Sequence, residues 1–102
     1  MINAKLKRNK QGICGFFVQN HANSIVCSAV SVLTLNTVNS IEALTEAKFS
    51  IDIDENGGYL RFLLLESDEK GYAYLLLSAM ELGLLGVFGE YKNEIRIEYE
   101  EV

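Results

Sequence analysis

Proline is absent from the 102 residues, so the chain has no proline-rich spacer and its turns must be built from glycine and asparagine. Histidine occurs once and cysteine twice, at spacings that match no zinc site, so neither a metal nor a cofactor is expected. Two cysteines without a secretory leader point to free thiols and exclude a disulfide framework. Cationic residues are scarce, 9 against 14 acids, and the net charge of -5 argues against a nucleic-acid binder. The same charge suits a basic polypeptide partner. A clean apolar run is also missing. Behind the basic start at Lys5, Lys7, Arg8 and Lys10, the segment is broken by Gln11, Gly12, Gly15, Gln19 and Asn20, which excludes a signal-peptide h-region. The uncharged stretch from Ala22 to Ile41 holds too many Asn, Ser and Thr residues for a membrane span. A soluble cytoplasmic protein without a membrane partner is expected.

What is present is the composition of a folded chain, and its length suits one domain, 1–102, with an adequate core. Ile2 to Arg8 alternates apolar and polar and predicts a half-buried strand. Asn9 to Gly12 is a turn, and Ile13 to Gln19 a second strand paired to the first, with Gly15 marking a bulge or a close backbone approach. From Ile25 to Leu44 the period becomes helical, with Val26, Val30, Leu33, Thr37, Ile41 and Leu44 on one face and Ser24 as N-cap. The helix carries no charge before Glu42, so a second face is expected to be covered, for instance by a neighbouring subunit. Lys48 to Asp54 and Tyr59 to Leu65 form a hairpin around Glu55-Asn56-Gly57-Gly58. Glu66 to Gly71 is a charged loop, Tyr72 to Tyr91 a leucine-rich helix, and Ile95 to Tyr99 a last strand with a solvated acidic end. The order β-β-α-β-β-α-β predicts an α+β fold, a mainly antiparallel sheet with two helices packed on it. Gly83, Gly86 and Gly89 follow no strand, so they point to close packing or helix weakening, not to phosphate binding.

Chemistry concentrates between Asn20 and Ser31. A strand delivers His21 into a short polar loop, and Cys27 follows in the opening turn of a helix. Helix N-termini and histidine neighbours favour the thiolate, the nucleophilic form of cysteine. Burial as a small hydrophobe is the commoner fate of a free cysteine, and a capping role is common for a loop histidine. Because His21 is the only histidine, a Cys–His dyad has to use it, and five intervening residues allow the loop to fold back. The amides of Cys27 and Ser28 are candidate oxyanion donors, and Ser31, one turn on, lies near the thiol or bonds back to its own helix. Cys14 is assigned to packing.

Met1-Ile2, Gly15-Phe16-Phe17-Val18, His21-Ala22 and Val26-Cys27-Ser28-Ala29-Val30-Ser31 together resemble the ribosomal-processing cysteine protease family, Prp. The hairpin at Gly57-Gly58-Tyr59 and the Ile95-Arg96-Ile97 strand extend the resemblance over nearly the whole chain. It implies a homodimeric α+β cysteine endopeptidase with Cys27 as nucleophile and His21 as general base. The implied substrate is the N-terminal extension of ribosomal large-subunit protein number twenty-seven, cut after an aromatic residue. Three positions depart from the family pattern. Asn20 stands where glycine is usual, the loop from His21 to Cys27 is shorter than in many members, and Ser24 stands where aspartate is frequent. The last two departures motivate an alternative, a non-catalytic dimeric ribosome-associated binding domain of the same fold.

Overall fold

The computed structural model describes residues 1–54 and 58–102. β1 (Ile2–Asn9) and β2 (Gly12–Gln19) form a hairpin, and α1 (Ser24–Leu44) then carries the chain to β3 (Lys48–Asp54). β3 pairs with β4 (Tyr59–Glu66), and α2 (Tyr72–Glu90) leads to β5 (Ile95–Glu101). The five strands form one sheet in the order β3-β4-β2-β1-β5, antiparallel except for the parallel β1–β5 pair. This is the expected α+β order. The Glu55-Asn56-Gly57 part of the expected turn lies outside the described residues.

Strand alternation decides which face is covered. Ile2, Ala4 and Leu6 of β1, Phe16 and Val18 of β2, Leu60 and Phe62 of β4 and Ile95 of β5 are buried together with the inner faces of both helices. Leu6, Phe16 and Phe62 are partners across three strands, and the Phe16 and Phe62 rings stack at 5.3 Å. Phe49 stacks on the far side of Phe62 at 5.1 Å. The opposite face carries Lys5, Phe17, Arg61 and Asp52 in register, with the Arg61 guanidinium 4.7 Å above the Phe17 ring.

Gly15 does what its position in a strand implied. A Cβ there would meet the Phe62 carbonyl oxygen at 2.9 Å, so β2 and β4 approach closely only because the side chain is missing. The β1–β2 register slips next to it, with Lys7 opposite Gly15 and Arg8 opposite Ile13. Cys14 is the extra residue of this bulge. Its buried thiol faces the Lys7 carbonyl at 3.6 Å, and burial pushes its pKa upward.

α1 buries Val26, Val30, Thr34, Thr37, Val38 and Ile41. The hydroxyls of Thr34 and Thr37 donate to the carbonyls of Val30 and Leu33 at 2.8 and 2.7 Å, which satisfies them inside the core. Leu44, expected on the inner face, is 69% exposed because the helix ends there. Leu33 packs toward α2, where the point a Gly83 Cβ would occupy lies 3.1 Å from Leu33 Cδ1 and closer to Cδ2. Gly83 therefore lets the two helices meet, whereas Gly86 and Gly89 face open space. Asp68 caps α2 from outside, accepting from the Tyr72 and Ala73 amides at 2.8 and 2.9 Å.

β5 runs two residues beyond the expected Tyr99, and its acidic end is paired as well as exposed. Arg8 meets Glu101 at 2.7 Å and Lys7 meets Glu100 at 3.8 Å along the parallel register. The Tyr99 hydroxyl donates to Glu81 of α2. Burial and then this hydrogen bond push the phenol up to about 12.

Candidate active site

The site is built where β2 ends. Asn20 takes φ +73, the left-handed region in which only glycine is unstrained and asparagine is among the best-tolerated side chains. This kink turns the chain out of the sheet and presents His21. It also explains how asparagine can stand where the resemblance leads one to expect glycine: both residues make the same turn.

The loop from His21 to Asn23 is held at several points. The His21 carbonyl accepts from the Met1 amino group at 2.9 Å. The Asn23 amide donates to the Glu94 carboxylate at 3.3 Å, and the Glu94 carbonyl accepts from Ile2 at 2.9 Å. Residues remote in sequence thus fix the short loop.

α1 is capped by Asn23, not by the expected Ser24. Asn23 is extended at φ -64 and ψ 162, and its side-chain oxygen accepts from the Val26 amide at 3.0 Å. Two good cap formers stand side by side, and the one whose oxygen lies three residues before a free amide takes the role. Moving the cap back one residue makes Cys27 the fourth helical residue. Its amide already donates to the Asn23 carbonyl at 3.0 Å, and the helical rule gives the Ser28 amide the Ser24 carbonyl. The expected oxyanion donors at Cys27 and Ser28 are therefore spent on the helix. Ser24 and Ser28 are both exposed.

The Cys27 thiol, half-buried, is engaged by the loop. The Ala22 amide donates to Sγ at 3.2 Å, and Sγ–H donates to the Ala22 carbonyl at 3.4 Å. Sγ thus both accepts from and donates to the Ala22 backbone in this conformation, and the S–H hydrogen bond has to break before the sulfur can attack. Among the described residues no hydrogen bond joins the imidazole to the thiol in this conformation.

A cleft of about 200 Å³ opens beside the thiol, between α1 and the β3–β4 pair. His21, Cys27 and Ser31 all line it, while Ser24 and Ser28 do not. Its walls and floor are largely apolar, with Val18, Val30, Leu35, Ile53 and Leu60, and Asp54 and Gly58 stand at the His21 end. The imidazole rests against Gly58: a Cβ at that glycine would lie 2.7 Å from Cε1 and closer still to Nε2. No group of three or more His, Cys, Asp or Glu able to hold a metal is found among the described residues.

A thiol at a helix start, in one cleft with the only histidine, is the arrangement found in a known class of enzyme. The family model described as cysteine protease Prp matches residues 1–96. The chain belongs to that family. The ribosomal processing cysteine protease Prp of Bacillus subtilis is 31% identical, over 95% of this chain and 96% of the relative. The Prp of Staphylococcus aureus is 28% identical over 98% of this chain and 100% of its own length. The crystal structure of the S. aureus Prp with a covalently linked product peptide superposes with a TM-score of 0.90 at 29% identity, covering 98% of this chain and 100% of that one. A Streptococcus mutans structure gives 0.89 at 29% identity, covering 100% and 96%. Prp enzymes are hydrolases of the cysteine protease class.

Four residues around this cleft were given no role in it from the sequence. Ala22 acts through its backbone, which no side-chain pattern reports. Glu94 is 71 residues from the loop it clamps, beyond the reach of local periodicity. Asp54 and Gly58 were read as hairpin residues. The positive φ of Gly58, +71, fits the turn chemistry of its neighbourhood, but nothing local says that it faces His21.

Proposed function

We propose that the chain is a dyad peptidase which removes the N-terminal extension of ribosomal large-subunit protein number twenty-seven. The observation that carries this reading is the shared cleft: His21 and Cys27 line the same pocket, whose apolar walls suit an aromatic side chain ahead of the scissile bond. His21 takes the proton from Sγ–H, which in the resting arrangement is hydrogen-bonded to the Ala22 carbonyl. The thiolate attacks the scissile carbonyl carbon, a thioester forms, and the amine leaves with the proton carried by His21. Water, deprotonated by His21, then hydrolyses the thioester and regenerates the thiol. The Ala22 amide, which already faces Sγ, is a backbone donor for the developing oxyanion. An extended peptide lies along β3, an outer strand of the sheet, and adds to it by main-chain hydrogen bonds.

The S. aureus Prp has been crystallised with a substrate peptide and with a covalently linked product peptide, which supports a peptide substrate here. The net charge of -5 favours a lysine- and arginine-rich target in the cytoplasm. The chain works as one domain, 1–102, in a homodimer, with no cofactor, metal, nucleic acid or membrane in its chemistry.

The test incubates the wild type, Cys27→Ala and His21→Ala with the extended ribosomal protein and follows substrate mass. Shortening by the wild type alone is expected, with His21→Ala slowed about a hundredfold or more, in line with loss of a general base. Intact substrate in every tube would leave the binding-domain alternative. Shortening by Cys27→Ala would remove Cys27 as nucleophile.

A further inference from the structure

Among the described residues no hydrogen bond holds the His21 imidazole: only its backbone carbonyl is tied, to the Met1 amino group. A general base has to be held in place by something. The ring lies against the bare backbone of Gly58, just before the strand β4 that forms one wall of the cleft. The ring occupies the space in which any other residue would put its Cβ, with Nε2, Cε1 and Cδ2 all inside van der Waals distance of that point.

We propose that Gly58 is a positioning residue for His21: the missing side chain is the seat of the imidazole, and filling it displaces the general base. The proposal takes the Cys27–His21 dyad above as its premise. The imidazole tip is the free end of an exposed side chain, so an added methyl group moves the ring more readily than it moves the backbone. The fold therefore tolerates the substitution while the base loses its place. Misplacement by about 1 Å can cost on the order of a hundredfold in rate, because proton transfer requires hydrogen-bond reach.

Glycine at 58 answers a second demand, since φ +71 strains any L side chain. The two demands are separable within this chain. Gly71 has φ +75, the same backbone strain, and nothing stands within 4 Å of the point where its Cβ would sit. Gly71→Ala thus imposes the strain alone, whereas Gly58→Ala imposes the strain and the collision. Gly58→Asn relieves much of the strain, because asparagine tolerates the left-handed region, but keeps the Cβ.

The experiment compares wild type, Gly58→Ala, Gly58→Asn and Gly71→Ala. Each is measured for kcat and KM on the extended ribosomal protein, for thermal midpoint, and for the ring proton and carbon NMR signals of the single histidine. The expected result is that both Gly58 variants lose about a hundredfold in kcat with little change in KM, and shift the ring signals. Gly71→Ala is expected to match Gly58→Ala in lost thermal stability, yet to keep wild-type kcat and ring signals. Should Gly58→Ala fail to fold, Gly58→Asn carries the comparison. Wild-type kcat or unshifted ring signals in Gly58→Asn would overturn the proposal. If the wild type cleaves nothing, the dyad reading falls, and the ring signals still decide whether Gly58 seats His21.

Discussion

At Asn20 one torsion directs the chain that carries His21 out of the sheet. Because φ +73 suits glycine and asparagine and few others, Asn20→Gly is expected to keep both activity and fold. Asn20→Ala is expected to cost about 1–2 kcal/mol, the ordinary penalty of a left-handed alanine, read as a lowered urea midpoint with unchanged slope. Asparagine and glycine are therefore interchangeable at this position in backbone terms. His21 and Cys27 were expected near one another from their residue types and spacing, and both line one cleft. Their partners were not legible in the sequence. Ala22 bonds the thiol through its main chain, Glu94 reaches the loop from the far side of α2, and Gly58 acts through a side chain it does not have. Composition and periodicity report none of these.

The helices and strands carry plainer signals. Alternation placed β1, β3 and most of β5, and turn residues and pairing placed β2 and β4. Helical spacing placed α1 and leucine content placed α2, with the bounds of both helices right within a residue or two. The misses have local causes. Asn23 and Ser24 are both good caps, and three-dimensional reach, not propensity, chose Asn23. Asn23→Ala is expected to cost about 1 kcal/mol and to lower activity, since the same residue shapes the loop before Cys27. β5 outruns its apolar alternation because Lys7 and Arg8 on β1 pair with Glu100 and Glu101, a long-range match that local pattern does not show. At the start of α2 the amides of Ala73 and Tyr72 hold the Asp68 carboxyl below its ordinary 3.8. With the folded value depressed, the stability Asp68 contributes is complete above the unfolded value and is lost as pH falls through the lower folded one. Denaturation midpoints from pH about 5 downward are expected to fall more steeply for the wild type than for Asp68→Asn, which lacks the titrating group.

For the molecule as a whole, the unexplained surface is apolar. Leu75, Leu82, Leu85 and Phe88 on α2 and Val32 on α1 are exposed, with Leu82 71% open. The expected homodimer would bury such a face. Sedimentation at micromolar loading is expected to give twice the chain mass, and Leu82→Glu to shift it toward one. A wild-type protein that sediments as a monomer would refute the dimer and leave the cleft as described. The central claim, that His21 activates Cys27, has a built-in control in the second cysteine. Cys14 is buried at a strand bulge and burial raises its pKa, so it reports the reactivity of an unassisted thiol in the same molecule. The decisive measurement is the iodoacetamide alkylation rate of each cysteine across pH, by peptide mass, in wild type and His21→Ala. Cys27 is expected to react at least tenfold faster than Cys14 near neutral pH, with most of that advantage lost in His21→Ala. A Cys27 rate that does not change when His21 is removed would contradict the account.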